Sequence, residues 1–329
     1  MTESSVAGND DRRKTHQNTT DNTTTENNTA DRNTAAPTKA AAPIKSAPIK
    51  SAPIKSAKNR SALNGAGDKM LIALDVDGTL VDHDGHMSVP VREAAQAVVA
   101  AGHHVMIATG RSLNATLPVI EHIGIDNGYA VCSNGGVILR VDSGLPDGYE
   151  ILHKATFDPG PVLRALRKRL PTAKYALEDE DGNFLSTERF QDASFGVEAV
   201  GVDFQTMLEA TAVRVVVFSS ENTPEEFNTA IRHIGLAGVT YSVGWTAWLD
   251  IAAAGVTKAS ALEQLRDRLS IEADRTVAVG DGRNDIEMLT WARRGVAMGQ
   301  APIEVIAAAD EVTKSVYDDG AAHVLRSLL

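Results

Sequence analysis

The chain of 329 residues has one cysteine, Cys132, so no intrachain disulfide framework can form and nothing calls for an oxidising compartment. Aromatic residues make up only 5%, and none precedes Tyr129. No apolar run approaches the ~18 residues a membrane helix needs. The opening Met1-Thr2-Glu3-Ser4-Ser5 has no apolar core of a secretory signal, which reads as a cytoplasmic protein with no membrane partner. Basic residues are outnumbered, 32 to 43, for a net charge of −11. The deficit is uneven. Residues 1–68 hold 10 Lys/Arg against 7 Asp/Glu, which leaves 22 against 36 for the rest. An acidic body excludes nucleic acid as its main ligand, because phosphate backbones need a basic face.

Residues 1–68 contain no Phe, Tyr or Trp. Thr and Asn dominate at first. A repeat follows, from Ala42-Pro43-Ile44-Lys45-Ser46 to Ala52-Pro53-Ile54-Lys55-Ser56. Regular prolines block a helix, and Lys keeps the segment solvated. So little apolar area cannot offset the entropy of ordering. A disordered tail with extended character in the repeat is expected. It is either a simple solvated tail or a basic tether, and the sequence names no partner for it. Asn18-Thr19-Thr20 and its neighbours match the N-glycosylation pattern, which without a secretory signal is chance.

Order is expected from Lys69. Met70-Leu71-Ile72-Ala73-Leu74 is a continuous apolar run, as in a buried parallel strand. Residues 90–101 read as a helix with Ser88 as cap, and His104-Val105-Met106-Ile107-Ala108 as the next strand. Residues 112–123 are helical around Pro118, and Tyr129-Ala130-Val131-Cys132 is a third strand. Residues 256–269 and 285–292 are helical, with strands at Thr276-Val277-Ala278-Val279 and Gly295-Val296-Ala297-Met298. Alternation of this kind predicts an α/β fold, a doubly wound parallel sheet with helices on both faces. Residues 151–243 interrupt the rhythm with their own helices at 161–170 and 224–234 and their own strand, Val213 to Phe218. This predicts a smaller inserted α/β domain at 151–243 and a core of 69–150 with 244–329. Trp248-Leu249-Asp250-Ile251 is expected to bring the chain back into the first sheet.

Ligand sites of doubly wound sheets lie at the carboxyl ends of strands. The first strand ends in Asp75-Val76-Asp77-Gly78-Thr79. Two carboxylates so close repel unless they share a cation or a proton. A bound Mg²⁺ resolves that repulsion and draws in a phosphate. Asp75 could then attack phosphorus, and Asp77 could serve as general acid and base. Taken alone, the pair is equally an Asp-rich turn. The second strand ends in Thr109-Gly110-Arg111-Ser112, where a hydroxyl and a bare N–H suit phosphate oxygens, or simply cap a helix. Gly280-Asp281-Gly282-Arg283-Asn284-Asp285 places Asp281 and Asp285 for a hard cation, or forms a glycine-rich surface turn. Lys258 at a helix start is the cation available to neutralise phosphate and nucleophile, although a lone Lys is usually a surface residue.

Together and in this order these segments resemble the four motifs of the haloacid dehalogenase superfamily of phosphatases. Asp75-Val76-Asp77-Gly78-Thr79 is similar to the first, Thr109 to the second, Lys258 to the third and Gly280 to Asp285 to the fourth. The Thr-Gly-Arg form, Ser133-Asn134-Gly135-Gly136, Asp310, Asp319-Gly320-Ala321 and the position of the insert resemble the Cof-type branch, whose α/β cap lies between the second and third motifs. The resemblance covers residues 69–329 and leaves the tail outside. It implies a core of Rossmann-like topology carrying a cap, and a Mg²⁺-dependent phosphomonoesterase acting on a small phosphorylated metabolite, in the first place a sugar phosphate. It implies that Asp75 is the nucleophile and a metal ligand. Asp77 is then the general acid/base and gives the metal its backbone carbonyl. Asp281 is a ligand with Asp285 behind it, and Thr109, Gly110, Lys258 and Asn284 meet the phosphate. The same chemistry with a sugar as acceptor would make a phosphotransferase or mutase. A non-catalytic regulatory module is the reading from another class, but it would be expected to have lost Asp75, Asp77 or Lys258.

Other residues read more simply. Cys132 is expected to be a buried structural thiol. Trp245 and Trp248 are packing residues. His83 and His86 follow the first motif and could reach substrate, but loop His residues are usually bystanders. Glu178-Asp179-Glu180-Asp181 before Gly182 reads as a solvated turn, or else as a group that selects substrates carrying a hydroxyl or amine.

Overall fold

The structure is a computed structural model that describes residues 69–188, 192, 194–244 and 246–329. The tail expected at 1–68 and Trp245 lie outside the described residues.

The apolar run after Lys69 forms β1 (Leu71–Leu74), buried throughout. α1 (Val89–Ala100) follows, with the Ser88 hydroxyl accepting the Val91 N–H and Pro90 in the first turn. β2 (His104–Ala108), α2 (Leu113–His122) capped by Ser112, and β3 (Asn127–Cys132) repeat the pattern. β4 (Val137–Asp142) and β5 (Tyr149–Lys154) then add two antiparallel strands. The chain leaves this sheet through α3 (Gly160–Arg169) and builds β6 (Lys174–Asp179), β7 (Phe184–Ser186) and β8 (Val200–Gly201). α4 (Phe204–Glu209), β9 (Ala212–Phe218), α5 (Pro224–Ile234), β10 (Val239–Val243) and β11 (Trp248–Ala253) complete the insert. The return runs through α6 (Lys258–Arg268), β12 (Thr276–Gly280), α7 (Ile286–Trp291), β13 (Arg294–Ala297), α8 (Ile303–Ala308), β14 (Glu311–Val312) and α9 (Gly320–Arg326).

The first sheet has eight strands in the order β14-β13-β12-β1-β2-β3-β4-β5. The pairings from β14 to β3 are parallel. Side chains alternate across it. Ile72, Leu74, Val105 and Ile107 meet residues of α1, α2 and α9, whereas Leu71, Ala73, Met106 and Ala108 meet α6, α7 and α8. The sheet is therefore covered on both faces, which is why its strands are apolar runs. β1 lies between β2 and β12, so the chain leaves β1 in one direction and β12 in the other. That is a topological switch point, and a crevice opens at the carboxyl ends of these two strands.

The second sheet has six strands in the order β10-β11-β9-β6-β7-β8. One face, with Tyr175, Leu177, Val215, Val217, Leu249 and Ile251, packs with residues of α3, α4 and α5. Three sequence expectations fail here. Trp248 to Ile251 belongs to the second sheet, because β11 pairs antiparallel with β10 and β9. Only residues 244–247 separate β10 from β11, so a hairpin forms, and Leu249 and Ile251 fill the second core. At the other end β5 pairs with β4 in the first sheet, so the chain leaves that sheet after Lys154, not at residue 151. Glu178 and Asp179 are not in a turn: they close β6, and Glu178 is 4% exposed.

Candidate active site

Asp75 follows β1 directly and Asp281 follows β12. The Asp75 N–H donates to the Val279 carbonyl at 3.0 Å, which holds the two strand ends together. Lys258 is the first residue of α6, after the cap Thr257, and its side chain is wholly buried. Its Nζ donates to Oδ1 of both Asp75 and Asp285 at 2.6 Å. Asp281 is buried beside them. Such a cluster exists only because its charges offset one another. Burial and then the neighbouring Asp285 push the Asp75 carboxyl well above its ordinary range, and Lys258 pulls it only part of the way back. Burial and Asp285 push Asp281 up to about 7. Burial opposes the charge of Lys258, but Asp285 and Asp75 more than compensate and raise its pKa.

Carboxylate oxygens of Asp75, Asp281 and Asp285 lie within 4.8 Å of one another. Three hard oxygen donors, two of which resist ionisation, form a set that suits Mg²⁺. Asp285 is the least free of the three. Besides Lys258 it accepts the N–H groups of Asp281 and Gly282 on Oδ2, at 3.0 and 2.9 Å. It therefore shapes the loop that aims Asp281. Gln300 holds the same loop, donating at 2.6 Å to the Gly78 carbonyl and at 3.2 Å to Asp281 Oδ2. Gly78 has φ +78°, and a Cβ there would lie 2.1 Å from Asp281 Oδ2. The turn glycine of the first motif is thus what lets the two loops meet.

The Asp77 side chain lies outside that tight cluster. It is 58% exposed and forms a two-point ion pair with Arg111, at 2.9 and 2.6 Å. Thr109 is buried, and its Oγ1 accepts the Arg111 N–H at 3.1 Å, which leaves its own proton free to donate. Gly110 packs under Asn134, and the Asn134 side-chain oxygen Oδ1 accepts from Asn284 Nδ2 at 2.9 Å. Asp75, Asp77, Gly110, Asp281 and Asn284 line one cavity of about 670 Å³. Lys258 and Thr109 are not among its lining residues but touch Asp75 and the backbone of Arg111, and Lys258 lines a second cavity of about 520 Å³ that shares Asn284. All eight residues proposed from the sequence therefore gather at the ends of β1, β2 and β12.

Several participants escape sequence reasoning. Asn134, with Ser133, takes the left-handed backbone, φ 55° and 51°, and so turns its amide into the site. The Ser133-Asn134-Gly135 turn after β3 was the available signal. Arg111 stood beside Thr109 without a role. His83, read as a bystander, also lines the cavity. Cys132 is buried as expected, and burial pushes its thiol up to about 12. Asp310 and Asp319 are bracing groups: Asp310 accepts the Gly295 N–H at 2.9 Å and Asp319 the Ser88 hydroxyl at 2.5 Å. Among the described residues no helix is long and apolar enough to cross a membrane.

A buried lysine among carboxyls, an oxygen set that suits a hard cation and nearby donors form an arrangement compatible with an anionic ligand. The comparisons agree. A family model for haloacid dehalogenase-like hydrolases matches residues 72–325, and the chain belongs to that family. A phosphoglycolate phosphatase of Methanoculleus marisnigri is 28% identical, over 76% of this chain and 92% of its own. Phosphatase YwpJ of Bacillus subtilis is 27% identical, over 79% of this chain and 99% of its own. The solved structure of the subclass IIB sugar phosphatase BT4131 superposes with a TM-score of 0.66 at 25% identity, covering 79% of this chain and all of that one.

Proposed function

We propose that this haloacid dehalogenase-type phosphatase is a Mg²⁺-dependent phosphomonoesterase that hydrolyses a small phosphorylated metabolite, a sugar phosphate, through an aspartyl phosphate on Asp75. The observation that carries the reading is the buried Lys258 bridge between Asp75 and Asp285, with Asp75 and Asp281 lining a ligand-sized cavity.

Asp75, Asp281 and Asp285 would hold the cation. When bound, it neutralises the carboxylates and draws the phosphoryl oxygens toward Asp75. The remaining work falls to the chain. Lys258, the Thr109 hydroxyl, the Gly110 N–H and Asn284 receive the phosphoryl oxygens. An Asp75 oxygen forms a bond to phosphorus as the ester oxygen leaves, and Asp77 supplies the proton to that oxygen. Asp77 then takes a proton from water, whose oxygen attacks phosphorus and frees Asp75 and inorganic phosphate. For this Asp77 must part from Arg111, which substrate arrival achieves by offering Arg111 another anion. The insert, residues 155–254, acts as a cap that excludes water and selects the substrate. The working compartment is the cytoplasm. The substrate is the only partner required, and the tail has none assigned.

The test is phosphate release from a panel of sugar phosphates, nucleotides and phosphorylated cofactors, with Mg²⁺ or with a chelator. Metal-dependent release from a few members is expected. No release by folded protein with Mg²⁺ present would overturn the reading.

A further inference from the structure

The second sheet's other face contributes to the active-site cavity, and it sets charged groups beside the apolar cluster of Ala176, Phe184, Phe195 and Val216. Because side chains alternate along a strand, Arg214 and Val216 of β9 share this face with Glu178 of β6 and with Trp248 and Asp250 of β11. Arg214 is 2% exposed. Its Nε donates to Asp250 Oδ1 at 2.6 Å. The Trp248 indole donates to the other Asp250 oxygen at 2.7 Å, so both Asp250 oxygens are engaged and fix both side chains. The guanidinium also lies 5.8 Å from the centre of the Phe195 ring.

One atom of the Arg214 fork is left over. Arg214 Nη1 is buried and has no hydrogen-bond partner among the described residues. A buried donor left in that state costs about 1–3 kcal/mol, and native proteins rarely retain one without a purpose. Arg214 and Asp250 line the same cavity as Asp75 and Asp77. The side chain that carries the unsatisfied donor therefore lines the same cavity as the reacting carboxylates. Asp250 already balances its charge. The site lacks one acceptor oxygen, not an anion.

We propose that Arg214, held by Asp250, is a specificity-determining residue that donates from Nη1 to an uncharged oxygen on the alcohol part of the phosphomonoester. This rests on the phosphatase reading above and adds the feature by which its substrate is told from other esters. A substrate without that oxygen leaves the donor buried and unpaired, and is discriminated against through binding. A substrate with a carboxylate there brings a second negative charge beside Asp250 and gains less.

The test compares kcat/KM for three esters: a hexitol phosphate with uncharged hydroxyls, phosphoglycolate with a carboxylate, and phenyl phosphate with no further acceptor. The wild-type protein should prefer the hexitol ester over phenyl phosphate. In Arg214→Met that ratio should fall about 10- to 100-fold, chiefly through KM, as expected for one hydrogen bond to a charged donor. Asp250→Asn, which keeps the volume and loosens the hold on Arg214, should lower it less, and it is the informative arm if the Met variant does not fold. A ratio within threefold of wild type in a folded variant overturns the assignment. So does a dependence on Arg214 confined to phosphoglycolate, which would make the group an anion receptor. Absence of Mg²⁺-dependent release from all three esters by wild-type protein, with release from no other phosphomonoester, would instead strike the phosphatase reading itself.

Discussion

The two sheets offer the cavity opposite kinds of wall. At the ends of β1 and β12 the buried charges are linked to one another: Lys258 holds Asp75 and Asp285, and Asp285 holds the loop of Asp281. On the inward face of the second sheet Asp250 holds Arg214, yet one donor stays unanswered. The first wall is a linked set of charges whose members depend on one another, as chemistry on a fixed group requires. The second is an incomplete set, as recognition of a separate molecule requires. Breaking each wall should therefore have different consequences.

The largest effect is expected from Asp75→Asn. Loss of the nucleophile should lower turnover by at least about 10³-fold while the fold survives, which phosphate release and circular dichroism would check together. Retained turnover would remove Asp75 from the chemistry. Next, Lys258→Met removes the cation between buried carboxyls. The metal-free protein should lose about 3–5 kcal/mol of stability, and added Mg²⁺ should restore part of it, read from urea unfolding.

Without metal, the first wall also responds to pH. Burial and Asp285 raise Asp281 to about 7, above an unfolded value of 3.8, so the folded protein keeps a proton that the unfolded chain has lost. Stability is then favoured at low pH and falls as pH rises from about 4 to about 7. Urea midpoints in a chelator should be higher at pH 5 than at pH 8, with a difference of about 2–4 kcal/mol, and Mg²⁺ should narrow it. A midpoint that rises with pH in the chelator would contradict the account. Glu263 works in the opposite sense but in a lower window. Its hydrogen bonds from Arg266 and then Trp291 bring it to about 2, so its contribution is lost only below about 4.5.

The smallest effect concerns Glu178, which accepts from the Ser133 hydroxyl at 2.6 Å and joins the second sheet to the first. Burial raises its pKa above the usual carboxylate range. Glu178→Gln keeps the acceptor and removes the buried charge, so its thermal midpoint at pH 8 should stay level or rise, by no more than about 1 kcal/mol. A clear drop would mean that the charge itself holds the sheets together.

The same contrast sets what the sequence could reveal. Asp75, Asp77, Asp281 and Asp285 were legible because each follows an apolar strand within a few residues, and strand ends of a doubly wound sheet converge by topology. Lys258 was legible only in their company. Arg214, Glu178 and Asp250 were not, because their meeting depends on antiparallel register across β6, β9 and β11, and a one-residue slip would turn them away. An arginine inside Val213-Arg214-Val215-Val216 was the one visible sign. The placing of β11 failed for a related reason, since an alternating strand after a parallel-sheet rhythm looks the same whether it forms a hairpin or crosses back.

The central claim is that phosphate passes through Asp75. The most direct measurement is acid quench during turnover, hydroxylamine trapping and peptide mass spectrometry. The account predicts a hydroxamate at Asp75 that needs both Mg²⁺ and substrate and is absent in Asp75→Asn. Mg²⁺-dependent phosphate release with no adduct at Asp75 would contradict it.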